Sequence, residues 1–485
     1  MTTSEEPQAV NEEPTVKREE PEKTKPERRG LMQRLTNLCV RYVERFMPDP
    51  YLFAVILTGL VVVLIALLVR GATPSGALKA WYGGVWGSQN IFTFAFQMVL
   101  ILVTGYTLAE APILKRAIIR IASKPRNQVQ GALLCFGVSA VLSLLNWGLG
   151  LVAGALVARQ VAKRLTGAHF GYLIAAAFMG FIVWTQGLSS SIALANTDAT
   201  SPINVIHKIT GLTVPLTLTI FQPYNWVAVI AVVALLAIAI WRMQPAQSLE
   251  PDPAVFEEES VPPKPAGKRT FAEWLENLWI LNVIVFAAGI TYFVLSGFAL
   301  NISSMIMLFT VTSALLHGTP IRFIRAFSGA AKVSGPLLLQ YPLYGGIVGL
   351  LGYLPTGSGK ALQTVLAEAL VRGADQYTLP FLTFVGSVII SLFVPSGGGH
   401  WAVQGPIAVQ SALAINHHSS AYLGLISMSV AVGEGVANMI QPFWLLPVLA
   451  IAKLNVRQVM GFTVIAFLIG FAVSSAMVLI APHVL

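Results

Sequence analysis

Asn146-Trp147-Gly148-Leu149-Gly150 and Pro395-Ser396-Gly397-Gly398-Gly399-His400-Trp401 each break an apolar stretch near its middle, the first within 129 to 158 and the second within 377 to 412. Non-helical backbone is tolerated at membrane depth only where protein or a water-filled cavity satisfies it. Two helical hairpins that enter a bilayer from opposite sides and turn back at these breaks satisfy that condition. Their tips meet near mid-membrane, which implies a cavity between them.

The setting of the breaks supports a bilayer. Of 485 residues, 55% are hydrophobic and 11% charged, against roughly 25% charged in soluble globular chains. An ordinary cytosolic enzyme is excluded. Uninterrupted apolar runs stand at 51 to 69, 90 to 109, 225 to 241, 277 to 298, 301 to 317, 334 to 354 and 458 to 482, each near the length a helix needs to cross a hydrocarbon core. Two more stretches, 169 to 200 and 419 to 452, are broken by polar and glycine clusters. The net charge of +9 does not point to nucleic acid, because the basic residues sit between apolar runs rather than on one soluble face. Residues 1–30 mix Glu, Lys and Pro with almost nothing apolar and are expected to be a disordered tail without chemistry. They are no signal peptide, since the first apolar run begins only at Tyr51. Two cysteines, Cys39 and Cys135, are too few for a disulfide framework.

With the N-terminus cytoplasmic, all but five of the 31 Lys and Arg fall in inside segments, the exceptions being Arg70, Lys79, Lys208, Lys360 and Arg372. That count requires 129 to 158 to start and end inside and 377 to 412 to start and end outside. Independently, a shift of 248 positions lays Phe136, Ser139, Ser143, Leu144 and Gly150 on Phe384, Ser387, Ser391, Leu392 and Gly398, and Gln186-Gly187 on Glu434-Gly435. The run 277 to 298 has no counterpart, and one unpaired span turns the second copy over. The expected fold is therefore an all-α polytopic membrane protein of two inverted-topology repeats, each with a re-entrant hairpin and a broken transmembrane helix. Its parts are a cytoplasmic tail over 1–30, a first repeat over 31–241, a cytoplasmic linker over 242–276, a connecting helix over 277–298 and a second repeat over 299–485. Such repeats are the architecture of secondary transporters.

Of 22 Asp and Glu, Glu434 alone lies well inside an apolar stretch. An intramembrane ionisable residue is costly and marks function by default. Glu434 is expected to carry a coupling ion, with Asn438 one helical turn away and Gln441 beyond it. No Lys or Arg lies deep in any span, so an anionic substrate would rely on half-helix N-termini. Gly148, Gly150, Gly397, Gly398 and Gly399 permit close backbone approach, while Asn146, Ser396 and His400 add side-chain donors. His400 could donate to a carboxylate. Trp147 and Trp401 adjoin the breaks and suit a small apolar tail. Gln186, Ser189 and Ser190 extend the substrate site, and Na⁺ is an open alternative to H⁺ near Gly187, Ser190, Gly435 and Asn438.

Other classes fail on particular residues. Gly357-Ser358-Gly359-Lys360 resembles part of a P-loop, but Leu354 stands where the first Gly belongs and Ala361 replaces the Ser or Thr. Ser396 and His400 lack a third group to orient the base of a hydrolase, and no HExxH occurs. Neither an enzyme nor a cofactor is expected. A carrier of dicarboxylates or other organic anions, or a passive anion channel, remains open.

From about Met32 to Ala481 the chain resembles the short-chain fatty acid uptake (AtoE) family of bacterial transporters. The resemblance rests on Pro48-Asp49-Pro50, Asn146-Trp147-Gly148 with Gly150, Gln340-Tyr341-Pro342, the run from Val394 to Trp401 (VPSGGGHW) with Gln404-Gly405-Pro406, Gly433-Glu434, Asn438-Met439 and Gln441-Pro442-Phe443-Trp444. Trp184-Thr185-Gln186-Gly187 stands where a longer glycine run is usual, and Gly435-Val436-Ala437 where bulkier side chains are. The resemblance implies ion-coupled uptake of butyrate, acetoacetate or similar monocarboxylates across the bacterial inner membrane. It also implies a homodimer whose mobile transport part moves against a scaffold as an elevator.

Overall fold

The computed structural model describes residues 50–485 apart from 88–89, 246–247, 257–269, 356–359, 371–372, 393 and 395. The tail over 1–30, Pro48-Asp49, Gly357-Ser358-Gly359, Arg372 and Pro395 lie outside the described residues.

Among the described residues every regular element is helical. The first half runs α1 (Pro50–Leu68), α2 (Pro74–Val85), α3 (Phe92–Ala109) and α4 (Pro112–Ala122). It continues through the hairpin α5 (Gln128–Leu145) and α6 (Trp147–Arg164). Next comes α7 (Phe170–Met179), which tightens into a 3₁₀ segment Gly180–Gln186 before α8 (Ser191–Asn196), then α9 (Val205–Thr210) and α10 (Pro223–Arg242). Two connecting helices follow, α11 (Phe271–Glu276) and α12 (Ile280–Leu295). The second half runs α13 (Ile302–His317), α14 (Pro320–Ala331), α15 (Gly335–Leu351) and α16 (Leu362–Leu370), then the hairpin α17 (Leu379–Ser391) and α18 (Gly397–Ala414). It ends on α19 (Ser420–Ala437) with its 3₁₀ turn Asn438–Ile440, α20 (Leu445–Ala452) and α21 (Arg457–Ile480).

Six helical segments among the described residues are long and apolar enough to cross a membrane, by length and composition: Phe92–Ala109, Gln128–Leu145, Phe170–Asn196, Pro223–Arg242, Ser420–Ile440 and Arg457–His483. The uninterrupted runs of the sequence are α1, α3, α10, α12, α13, α15 and α21. Besides the six-residue α9 and α11, four longer helices fall where the sequence reading left connections: α2, α4, α14 and α16. Three of them begin at a proline, whose fixed φ suits the first helical position and whose missing N–H is no loss there. In α4 the apolar residues Ile118 and Ala122 are buried while Lys115, Arg116 and Arg120 are exposed, a pattern too short and too charged to register as a span.

The packing is reciprocal between the halves. Helices α1 and α2 of the first half pack on α15 of the second, and α13 and α14 of the second pack on α3 of the first. In turn α3 lies against the returning arm α6, as α15 lies against α18. Phe136 and Ser139 on α5 meet Gly180, and their counterparts Phe384 and Ser387 on α17 meet Gly433.

The hairpin tips depart from a constant shift of 248. The first turns on a single residue, Asn146, between Leu145 and Trp147, whereas the second spends residues 392–396 between Ser391 and Gly397. The N-caps of the returning arms are nonetheless alike. Asn146 (φ −153°, ψ 121°) and Ser396 (φ −157°, ψ 115°) each accept with the side chain from the N–H three residues on, Leu149 and Gly399. The tips thus superpose at a shift of 250, because the two breaks differ in length. The segment read as a linker is also partly docked: Phe170 N–H donates to Leu249 O and Gln128 Nε2 to Pro245 O.

Close helix contact at Gly180 yields a test. A Cβ there would stand 2.6 Å from Phe136 O and 2.7 Å from Ala140 N, both backbone atoms, while a Cβ at Gly137 meets nothing within 4 Å. Gly180→Ala is expected to destabilise the protein by about 1–3 kcal/mol through overpacking, read as a lower thermal midpoint in detergent. Gly137→Ala on the same bundle should leave the midpoint unchanged or raise it.

Candidate functional site

Glu434 lies near the end of α19, and His400 in the first turn of α18, three residues past the break. Both side chains are fully buried, with His400 Nδ1 3.6 Å from Glu434 Oε2. That separation exceeds a hydrogen bond, and neither carboxylate oxygen nor Nδ1 has a hydrogen-bond partner among the described residues. A buried, unpaired polar atom is expensive, and a lone carboxylate ion far more so. The pair is therefore held net neutral, either as carboxylic acid and imidazole or as carboxylate and imidazolium.

The tip of the second hairpin closes over this pair. The Gly397 Cβ direction points at Ser191 Oγ (2.6 Å), Trp184 Cη2 (2.7 Å) and Glu434 Oε2 (3.4 Å), so only a glycine seats the backbone here. Gly398 faces the ring of Phe94 and Gly399 that of Tyr344. Ser396 Oγ lies 2.5 Å from Tyr341 Oη of α15, tethering the tip to that helix.

Trp184 joins the two tips. Its Nε1 donates to Asn438 Oδ1 at 2.9 Å, and its ring stacks on Phe181 at 10° between planes. Trp147, at the first tip, packs against Trp184 and edge-on against Trp444. A wall of Trp147, Phe181, Trp184 and Trp444 thus lines one side of the place where Gly397 approaches Glu434. Trp401 is buried but folds over Gly405 of its own helix and takes no part in that wall.

Several expected site residues are engaged elsewhere. Asn146 accepts from Leu149 N–H and donates to Ile101 O; Gly148 packs on Leu102 and Gly150 on Ser143. Gln186 pairs with Asn225 of α10, donating to its Oδ1 and accepting at its backbone carbonyl. Gly187 sits on the backbone of Leu144, beside which Ser189 N–H donates to Leu144 O. Ser190 caps α8. Asn438 Nδ2 donates to Gln441 Oε1, Gln441 Nε2 to Ser391 O, and Gly435 packs on Ile182 and Thr185. The structure therefore brings Gly397, His400 and Glu434 together, adds Trp184 and Ser191, of which the sequence reading had placed Ser191 only in the break that could expose hydroxyls to Na⁺, and sets Gln186 and Ser189 apart from them. Among the described residues no three His, Cys, Asp or Glu side chains gather as a metal site. A separate polar cavity of about 180 Å³ lies by the start of α3 and α13, lined by Gln97, Asp198, Thr200 and Ser303 among others. Its one charge is the Asp198 carboxylate, which accepts from Thr200.

Comparison with known proteins gives the chain's family. A family model described as short chain fatty acid transporter matches residues 31–480. A protein of Escherichia coli (strain K12), provisionally named a short-chain fatty acid transporter, is 37% identical over 445 residues, covering 90% of this chain and 97% of that protein. One of Haemophilus influenzae with the same provisional name is 33% identical over 450 residues, with the same coverage. The crystal structure of the Alcanivorax borkumensis YdaH transporter, which reveals an unusual topology, superposes with a TM-score of 0.50 at 17% identity over 89% of this chain and 98% of that one. At that identity the likeness concerns the fold alone. With a match from residue 31 to 480 and two relatives above 30% identity over nearly their whole length, the chain, a multi-pass membrane protein, belongs to the short-chain fatty acid transporter family.

Proposed function

We propose that the protein takes up short-chain fatty acids such as butyrate or acetoacetate across a bacterial inner membrane, each carboxylate accompanied by one proton. A cytoplasmic N-terminus and inverted repeats fit the Lys and Arg distribution. A homodimer is its working form. The observation that carries this reading is the fully buried Glu434–His400 pair, with three polar atoms still without partners beneath the second hairpin tip.

The pair binds one proton between Glu434 Oε2 and His400 Nδ1, which makes it neutral. A carboxylate entering beside it would add an uncompensated charge to a low-dielectric site, at a cost of several kcal/mol. Uptake of one further proton cancels that cost: Glu434 becomes the acid, His400 the imidazolium, and Nδ1–H donates to the substrate carboxylate. Leaving toward the side of lower proton activity, the anion and the proton depart together. The acyl tail lies on Trp147, Trp184 and Trp444. A proton suits the site better than Na⁺, since Asn438 Oδ1 already accepts from Trp184 and Gly187 and Gly435 are packed against other helices.

Radiolabelled butyrate uptake into proteoliposomes tests this, with a pH gradient or a Na⁺ gradient imposed separately. Accumulation above equilibrium should follow the pH gradient and ignore Na⁺; following Na⁺ alone would sink the proton assignment. Glu434→Gln should abolish gradient-driven accumulation, by at least 100-fold in rate, while leaving the solubilised protein monodisperse; unaltered uptake and pH dependence would remove Glu434 from coupling. Gly397→Ala should lower uptake at least tenfold, because its Cβ collides with Ser191 and Trp184 at the tip. Normal butyrate kinetics in that variant would show that the tip does not have to close over Glu434.

A further inference from the structure

His400 has a second nitrogen, and its surroundings are specific. Nε2 lies 2.6 Å from Gln404 Oε1, one turn along α18, and 3.4 Å from Ser387 Oγ of α17. Gln404 is not free to turn its amide, because its Nε2 donates to Thr383 O at 2.9 Å; reversed, it would set two carbonyl oxygens against each other. Ser387 Oγ in turn donates its only hydrogen to Val430 O at 2.7 Å. Both neighbours of Nε2 are thus acceptors, and the hydrogen of a neutral His400 ring is assigned to Nε2 by this network. Nδ1 is left as the one basic nitrogen, and it is the atom that faces Glu434.

We propose that Gln404, oriented by the Thr383 carbonyl, is a positioning residue for proton coupling: it holds the His400 hydrogen on Nε2 so that Nδ1 alone exchanges a proton with Glu434. The inference deepens the proton-coupled reading above and rests on it for its functional consequence, while the arrangement of hydrogens is independent of transport. In the exchange a proton leaves Glu434 Oε2 and binds the Nδ1 lone pair, giving carboxylate and imidazolium, and the reverse step restores acid and imidazole. Without an acceptor at Nε2, the ring hydrogen can move to Nδ1, which then has no lone pair to receive a proton.

The titratable groups on the elements packed against α18 are few. Glu434 and Tyr422 lie on α19, Tyr341 and Tyr344 on α15, Glu368 on α16, and His207 and Lys208 on α9; α17 and α8 carry none. Of these, Glu434 is the one whose charged atom comes within 4 Å of the His400 ring nitrogens.

The test is ¹⁵N-histidine NMR of the full chain in lipid, with the His400 signals assigned by their loss in His400→Gln, combined with the pH profile of butyrate uptake. Wild type is expected to show neutral His400 with hydrogen on Nε2. Gln404→Leu should convert it to a mixture of both tautomers and cut uptake at least tenfold. Gln404→Glu keeps an acceptor for Nε2 while giving up the hydrogen bond to Thr383 O, and its charge favours the imidazolium, so it should retain Nε2–H, raise uptake above that of Gln404→Leu and move the pH profile more than one unit alkaline. A wild-type hydrogen on Nδ1, or an unchanged tautomer in Gln404→Leu, overturns the proposal. So does a Gln404→Glu profile identical to wild type. Should Gln404→Leu not fold, the wild-type spectrum and Gln404→Glu decide. If the tautomer pattern holds while no protein accumulates butyrate with a pH gradient, the positioning role stands and the transport reading fails.

Discussion

Backbone groups freed where a helix breaks inside an apolar interior must find partners within the protein, and most of this structure's interior polar chemistry answers that demand. At the first hairpin, Asn146 caps the returning arm and reaches back to Ile101 O, while Leu144 O accepts from Ser189 N–H. Where α7 tightens, Gln186 O accepts from Asn225. At the second hairpin, Ser396 caps α18 and Ser391 O accepts from Gln441; below α19, Met439 O accepts from Thr463. The side-chain amides of Asn146, Asn225 and Gln441 are therefore spent on backbone, while the hydroxyls of Ser143, Thr185, Ser189 and Ser391 are buried without a partner among the described residues.

What sets one cluster apart from the unpartnered hydroxyls is that its atoms are ionisable. Glu434 and His400 Nδ1 lie in the same interior, yet nothing described bonds them. Native proteins satisfy the large majority of buried polar atoms, and a cluster of exceptions calls for a role. A purely structural acid would have been satisfied by a neighbour such as Asn438, one turn on, but the Asn438 side chain is committed to Trp184 and Gln441.

The sequence made the architecture legible because its signals are long: apolar runs, a charge bias over many loops, and glycine-rich breaks that cannot be continuous helix. It also made Glu434 legible, as the one acid deep in an apolar stretch. Roles at single residues were less legible. Asn146, Gln186 and Gln441 are the right types to bind a carboxylate or a cation, and the same types are the best caps and carbonyl partners; only coordinates separate the two uses. The contact of Trp184 and Ser191 with Gly397 was not legible because it joins residues far apart in sequence. Gln404 stood in view four residues after His400, the spacing at which helical side chains meet, and was noticed only as part of a motif. The short helices α2, α4, α14 and α16 were missed because a search for spans ignores amphipathic segments of about three turns.

The two halves are built alike and yet do not share the chemistry, and the difference turns on one position. Gly180 packs on Phe136 and Ser139 as Gly433 packs on Phe384 and Ser387, so by packing Glu434 corresponds to Phe181, and not to Gln186 as the shift of 248 has it. One half puts an aromatic ring there, stacked on Trp184 and close to Trp147 and Trp444; the other puts the only deep acid, facing His400. A site assembled across such halves is apolar on one side and, on the proposed reading, proton-binding on the other. This division matches a ligand with one ionisable end and one short hydrocarbon end, because burial of each methylene against the aromatic wall contributes about 0.8 kcal/mol while the carboxylate needs a compensating proton. A dicarboxylate would have to place its second charge against Phe181 and three tryptophans, where no described cation waits.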